Sequence, residues 1–172
     1  MDFLESRIAI LERSPAVLRA LLAGLPDELA RAGESKDSWS GFVVVGHLVH
    51  GEKTDWLPRL RIILDHGEGR AFETFDRFAQ FEESRGKSLD DLLTEFAALR
   101  AANLATLREL NLGDADRRRR GRHPALGTVT LGELLTTWAV HDLAHLAQIA
   151  RSLAMPFREE VGPWRAYLRV LE

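Results

Sequence analysis

Residues 130–155, TLGELLTTWAVHDLAHLAQIARSLAM, are the longest uninterrupted helical pattern in the chain and carry two histidines, His141 and His145, four positions apart. An α-helix turns about 100° and rises about 1.5 Å per residue, so these imidazoles lie one turn apart on one face and can reach one metal ion. Counting in threes and fours gives the stripe Leu131, Leu134, Trp138, His141, His145 and Gln148, which an amphipathic helix turns toward a core. A neighbouring row, Leu135, Ala139, Asp142, Leu146, Ile149 and Leu153, is also mostly apolar, so cover is expected on more than one side. Burying an imidazole without a partner is costly, so the pair must be hydrogen-bonded, metal-bound or catalytic. The spacing alone leaves all three open.

Working outward, Thr130 with Glu133 makes a capping box that starts this helix. The segment before it, Gly113 to Val129, reads as a loop that includes His123-Pro124, and His123 could overhang a pocket as a proton carrier. Ser88 followed by Asp91 opens a helix of about 22 residues in which Asn103 breaks the stripe Leu92, Phe96, Leu99 and Leu107 without supplying a strong metal ligand. Between His66 and Gly86, glycines, charges and four phenylalanines predict a long connection packed down by its aromatics. Ser40 caps an earlier helix, VVVGHLVHGEKTDWLPRLRIIL, with a kink or restart near Thr54 or Asp55 imposed by Pro58. His47 interrupts the apolar face of that helix, and His50 follows three residues later as an alternative or additional ligand. Residues 3–23 predict two short helices or one kinked at Ser14-Pro15, followed by a polar connection through Lys36. Residues 158–170 predict a short amphipathic helix packed across the bundle. Strand signals at Val43–Val45 and Val129–Leu131 are too short to stand alone, so the fold class is all-α, in a single domain spanning residues 1–172.

Composition narrows the chemistry. The chain has no cysteine, which removes disulfides, thiolate metal sites and cysteine nucleophiles together. A metal site here must use histidine, carboxylate and water. Net charge is −3, so nothing drives general binding to nucleic acid; five arginines between Arg117 and Arg122 read as a solvated run preceded by Asp114 and Asp116. No stretch is apolar enough to span a membrane, and the first residues lack a signal-peptide pattern, so a cytoplasmic protein is expected.

His47 from one helix and His141 with His145 from another match the way bundles build metal sites from facing helices. Three neutral imidazoles leave coordination positions open, as in catalytic zinc sites, and nickel is equally suited to such ligands. Asp142 stands where the glutamate of a His-Glu-x-x-His protease motif would be, which argues against a metalloprotease. Asp142 and Glu52 could instead hold imidazole N–H groups from behind.

Trp39-Ser40, His47-Leu48-Val49-His50-Gly51-Glu52 and His141 through Ile149 (HDLAHLAQI) together resemble the DinB-like superfamily, which includes YfiT-type proteins regarded as metal-dependent hydrolases. The resemblance runs over nearly the whole chain. It implies an up-up-down-down four-helix bundle with a long crossover, a divalent metal held by His47, His141 and His145, and a homodimer. It further implies an enzyme acting on a small-molecule substrate, either a hydrolase or an S-transferase using a low-molecular-weight thiol. A non-catalytic binding or stress-response bundle with a structural or vestigial metal site is the alternative.

Overall fold

A computed structural model describes residues 2–35 and 38–172. The first two helices, α1 (Phe3–Leu11) and α2 (Ser14–Leu22), are separated at Ser14-Pro15, where proline is accommodated in the first turn of α2. The polar connection beyond them holds one short turn of helix, α3 (Asp27–Ala30); the expected end of that connection, Lys36, lies outside the described residues. Ser40 caps α4 (Gly41–Thr54) by accepting from the Val43 amide. Nearly every side chain of α4 from Gly41 to Glu52 is buried, as its run of valine, glycine and leucine demands. At Asp55 the axis breaks and α5 (Trp56–His66) begins, placing Pro58 in its first turn.

The crossover contains a short helix, α6 (Ala79–Glu83), laid closely over α4 at Gly46; a Cβ there would come within 2.6 Å of Ser84 Oγ. The capping box of Ser88 and Asp91 starts α7 (Leu89–Glu109), and that of Thr130 and Glu133 starts α8 (Leu131–Ala154). Between them a departure from the sequence expectation appears. Residues 113–129 are not loop throughout: β1 (Arg120–His123) and β2 (Gly127–Thr130) pair antiparallel, with Gly127 at positive φ closing the turn. The hairpin docks through Gly121 against Ile63 and Phe72, so tertiary contact supplies the stability that its short apolar pattern lacks.

The helix directions also differ from expectation. Arg108 pairs with Glu12 and Arg19 with Asp90, so α1–α2 run antiparallel to α7. Arg7 reaches Thr136 and Arg151 reaches Glu34, so the N-terminal segment runs parallel to α8. With His47 of α4 meeting His141 and His145 while Gly41 approaches Ile149, the order is up-down-down-up instead of up-up-down-down. The two middle helices are parallel, which is why a long crossover must join them. The C-terminal segment is a series of 3-10 turns instead of an amphipathic α-helix. Trp164 and Tyr167 stand exposed there, and Leu171 is the side chain that enters the core.

The apolar interior falls into two clusters. One gathers Leu11, Trp56, Leu104 and Trp138, and the other Leu18, Val49, Phe96 and Ile149. A buried polar layer of Glu52, Arg100 and Asp142 lies between them.

Candidate metal centre

His47 is buried on α4 because nearly all of that helix up to Glu52 is sheathed, and α8 brings His141 and His145 to it along one face. Their Nε2 atoms converge. His141 Nε2 lies 3.2 Å from His47 Nε2 and 3.1 Å from His145 Nε2, and all three fall within 4.8 Å of one another. Aromatic rings frame them: Trp39 and Phe75 lie against His47, with centroids at 5.0 Å and 5.5 Å, and Trp56 lies edge-on to His141 at 5.1 Å. Burial in this apolar frame lowers the pKa of His47 and of His141 to about 3, with the neighbouring imidazoles adding to the effect. Burial lowers that of His145 as well, against the raising influence of Gln148 and Asp142. All three rings are neutral at ordinary pH.

The donor set fits a divalent cation. Two imidazoles on one ion at metal–nitrogen distances of about 2.0–2.1 Å and ordinary angles stand roughly 2.9–3.4 Å apart, the range of the two pairs that His141 Nε2 makes with His47 and His145. Gln148 Oε1 lies 2.9 Å from His145 Nδ1 and accepts its proton, so the lone pair of that ring is on Nε2, toward the centre. Nδ1 of His47 and of His141 has no hydrogen-bond partner among the described residues. Three facing lone pairs with at most a proton or two between them are poorly satisfied by one another, and a cation satisfies all three.

The remaining sequence candidates are distributed around this point. His50 turns away: its Nδ1 lies 2.8 Å from Glu83 Oε1 on α6, and it ties the crossover to α4. Glu52 and Asp142 are buried but hold no imidazole. Both receive hydrogen bonds from Arg100, and Glu52 also accepts from Trp138 Nε1 at 2.9 Å and from Asn103. His123 lies on the wall of a cavity of about 190 Å³ that adjoins the triad, lined also by His47, Gly51, Asp55, Trp56, Arg59, Phe75 and His141. His123 Nδ1 accepts from the amides of Ala125 and Leu126 at 3.1 Å, so in the neutral ring Nε2 carries the hydrogen. Burial and the charge of Arg59 hold the His123 pKa below its ordinary value.

Sequence reasoning did not single out Arg100, Asp55 or Arg59. Arg100 falls at helical spacing among Leu93, Phe96, Leu104 and Leu107, so its place on a core stripe was legible. Asp55 and Arg59 continue the line of fours from His47 through Gly51. Arg59 Nε pairs with Asp55, whose pKa burial raises against the lowering pull of Arg59. The arginine run of Arg117 to Arg122 does not line this cavity. Arg117, Arg119 and Arg120 pair instead with Asp114, Asp116 and Glu68. A larger depression of about 750 Å³ beside Arg117 and Arg118 includes none of the three histidines.

The family model described as DinB superfamily matches residues 10–149, most of the chain. The chain belongs to the DinB superfamily. Among solved structures this DinB-superfamily chain is similar to YfiT from Bacillus subtilis, at 24% identity and a TM-score of 0.76, over 90% of this chain and 87% of that one. YfiT is described as a probable metal-dependent hydrolase with an unusual four-helix bundle topology. At that identity the likeness establishes a shared fold. No curated protein shows a significant sequence match. Among the described residues no helix is long and apolar enough to cross a membrane.

Proposed function

We propose that this DinB-superfamily protein is a divalent-metal-dependent enzyme acting on a small molecule, with His47, His141 and His145 as the metal ligands and zinc or nickel as the ion. The observation that carries this is the convergence of the three Nε2 atoms at the edge of a cavity. Such an ion, when bound, supplies a Lewis acid with coordination positions left for water or a thiol. The reaction is hydrolysis, or S-transfer from a low-molecular-weight thiol to an electrophile.

The chain's own residues provide the proton movements on the open side. Asp55, basic for an aspartate because it is buried, accepts the hydrogen of the attacking water or thiol at a carboxylate oxygen. His123, with its hydrogen on Nε2, donates toward the group that gains charge or leaves. Trp56 and Phe75 exclude water around the reacting centre, and Arg59 holds Asp55 in place. Glu52, Asp142 and His50 carry no proton for the reaction, because Arg100 and Glu83 already engage them. The expected setting is a cytoplasmic homodimer of one domain over residues 1–172, without nucleic-acid partners, consistent with a net charge of −3.

The His141→Ala variant should keep its helical circular dichroism while its zinc or nickel content falls from about one equivalent to near zero. Full occupancy in that variant would overturn the ligand assignment. A screen of metal-loaded protein against esters, amides and thiol–electrophile pairs then separates hydrolysis from S-transfer.

A second reading, a structural or vestigial metal in a non-catalytic bundle, is favoured by the cavity volume of about 190 Å³. That is below the roughly 300–1,000 Å³ of ordinary small-molecule sites. Absence of turnover throughout the screen, with a large loss of thermal stability on chelation, would select it.

A further inference from the structure

One guanidinium on α7 joins α1, α4 and α8 beside the triad. Arg100 on α7 is 1% exposed. Its Nη1 donates to Leu11 O of α1 at 2.8 Å and to Asp142 Oδ2 of α8 at 2.6 Å, and its Nη2 donates to Glu52 Oε1 of α4 at 2.8 Å and to Asp142 Oδ1 at 3.1 Å. The two carboxylates belong to the two helices that carry the histidines. Asp142 follows His141 directly in the chain, and Glu52 lies five residues, about 7.5 Å of helix axis, beyond His47. Glu52 is held again by Trp138 of α8 and by Asn103 of α7, whose Nδ2 reaches both its backbone oxygen at 2.8 Å and its carboxylate at 2.9 Å.

We infer that Arg100 is a positioning residue for the metal centre: by clamping Glu52 and Asp142 to one planar fork it sets the separation of α4 from α8, and with it the His47–His141 spacing. This rests on the metal-site reading above. Three physical points support it. Apolar contacts on either side of this layer slide at little cost, whereas a bidentate guanidinium–carboxylate pair fixes both distance and orientation. Ligand atoms must be placed to within roughly 0.5 Å, so a small relative shift of the two helices degrades the site. A buried ion cluster is also weak as a stabilising device, since well-packed apolar residues of like volume often do as well, so its placement on the two ligand-bearing helices, with Asp142 next to His141, points to specificity of geometry. Arg100 also occupies both carboxylates, which keeps them from competing as ligands.

Arg100→Lys keeps the charge and loses the fork. The purified, metal-free protein and this variant are titrated with Zn2+ against a competing chelator, and Co2+-loaded samples are compared by visible absorption. The expected result is unchanged stoichiometry, affinity weakened at least tenfold, and an altered cobalt band. Should Arg100→Lys fail to fold, the charge-free triple variant Arg100→Met, Glu52→Gln, Asp142→Asn replaces it, with the same weakening and band change expected. A folded variant that loses thermal stability but retains zinc affinity within twofold and the parent cobalt spectrum would overturn the positioning role. Failure of the unaltered protein to bind Zn2+ or Co2+ at all would instead overturn the metal-site reading, and this inference with it.

Discussion

Gln148 accepts from His145 Nδ1 and so decides which nitrogen of that ring faces the centre. Replacing it with alanine should lower metal affinity by roughly 10–100-fold, the usual loss when a ligand's outer partner is removed, as read by chelator competition. The same burial that keeps the rings neutral links metal-free stability to pH. His47 and His141 titrate at about 3 in the folded chain and near 6.5 when unfolded, so the unfolded state takes up protons first as pH falls. Stability of the chelator-treated protein is therefore full above about pH 6.5 and falls progressively as pH drops below it toward 3. Urea midpoints measured across that window check it; a flat profile would contradict neutral buried rings. The candidate ligands were legible because spacing places His141 and His145 on one face. The partners of Glu52 and Asp142 were not, because an ion pair between α7 and its neighbours leaves no mark at short sequence range.

At the scale of elements, helix boundaries followed from local chemistry: the Ser88 and Thr130 capping boxes and the break before Pro58 are each encoded within a few residues. The hairpin was not, since its four-residue strands gain their stability by docking. Gly121 is the contact that permits it, because a Cβ there would stand 2.6 Å from Ile63 Cγ1 and 3.0 Å from Phe72 Cζ. Gly121→Ala should cost about 1–3 kcal/mol in chemical denaturation through overpacking. It should also move His123 at the end of β1, so its largest chemical-shift changes should fall on the hairpin. The C-terminal turns show the opposite error: Val161, Trp164 and Tyr167 sit at helical spacing, yet Trp164 is 72% and Tyr167 82% exposed, so periodicity without a facing surface did not make a packed helix.

For the whole molecule, Trp138 and Trp164 are a direct contrast. Trp138 is fully enclosed, stacks on Trp56 and donates to buried Glu52, so Trp138→Ala should cost about 3–5 kcal/mol, whereas Trp164→Ala should change stability by less than about 0.5 kcal/mol. Zinc at 100 times its dissociation constant should add about 2.7 kcal/mol, seen as a rise in Tm of roughly 5–10 °C that chelator reverses. The sequence by itself determined the mostly helical class, the helix ends and the two faces that carry histidine, because caps and periodicity act within a turn or two of chain. Only the tertiary structure decided the up-down-down-up order, the polar layer around Arg100 and the meeting of His47 with His141 and His145. Those depend on which helices lie side by side, and that is settled by burial summed over the whole chain.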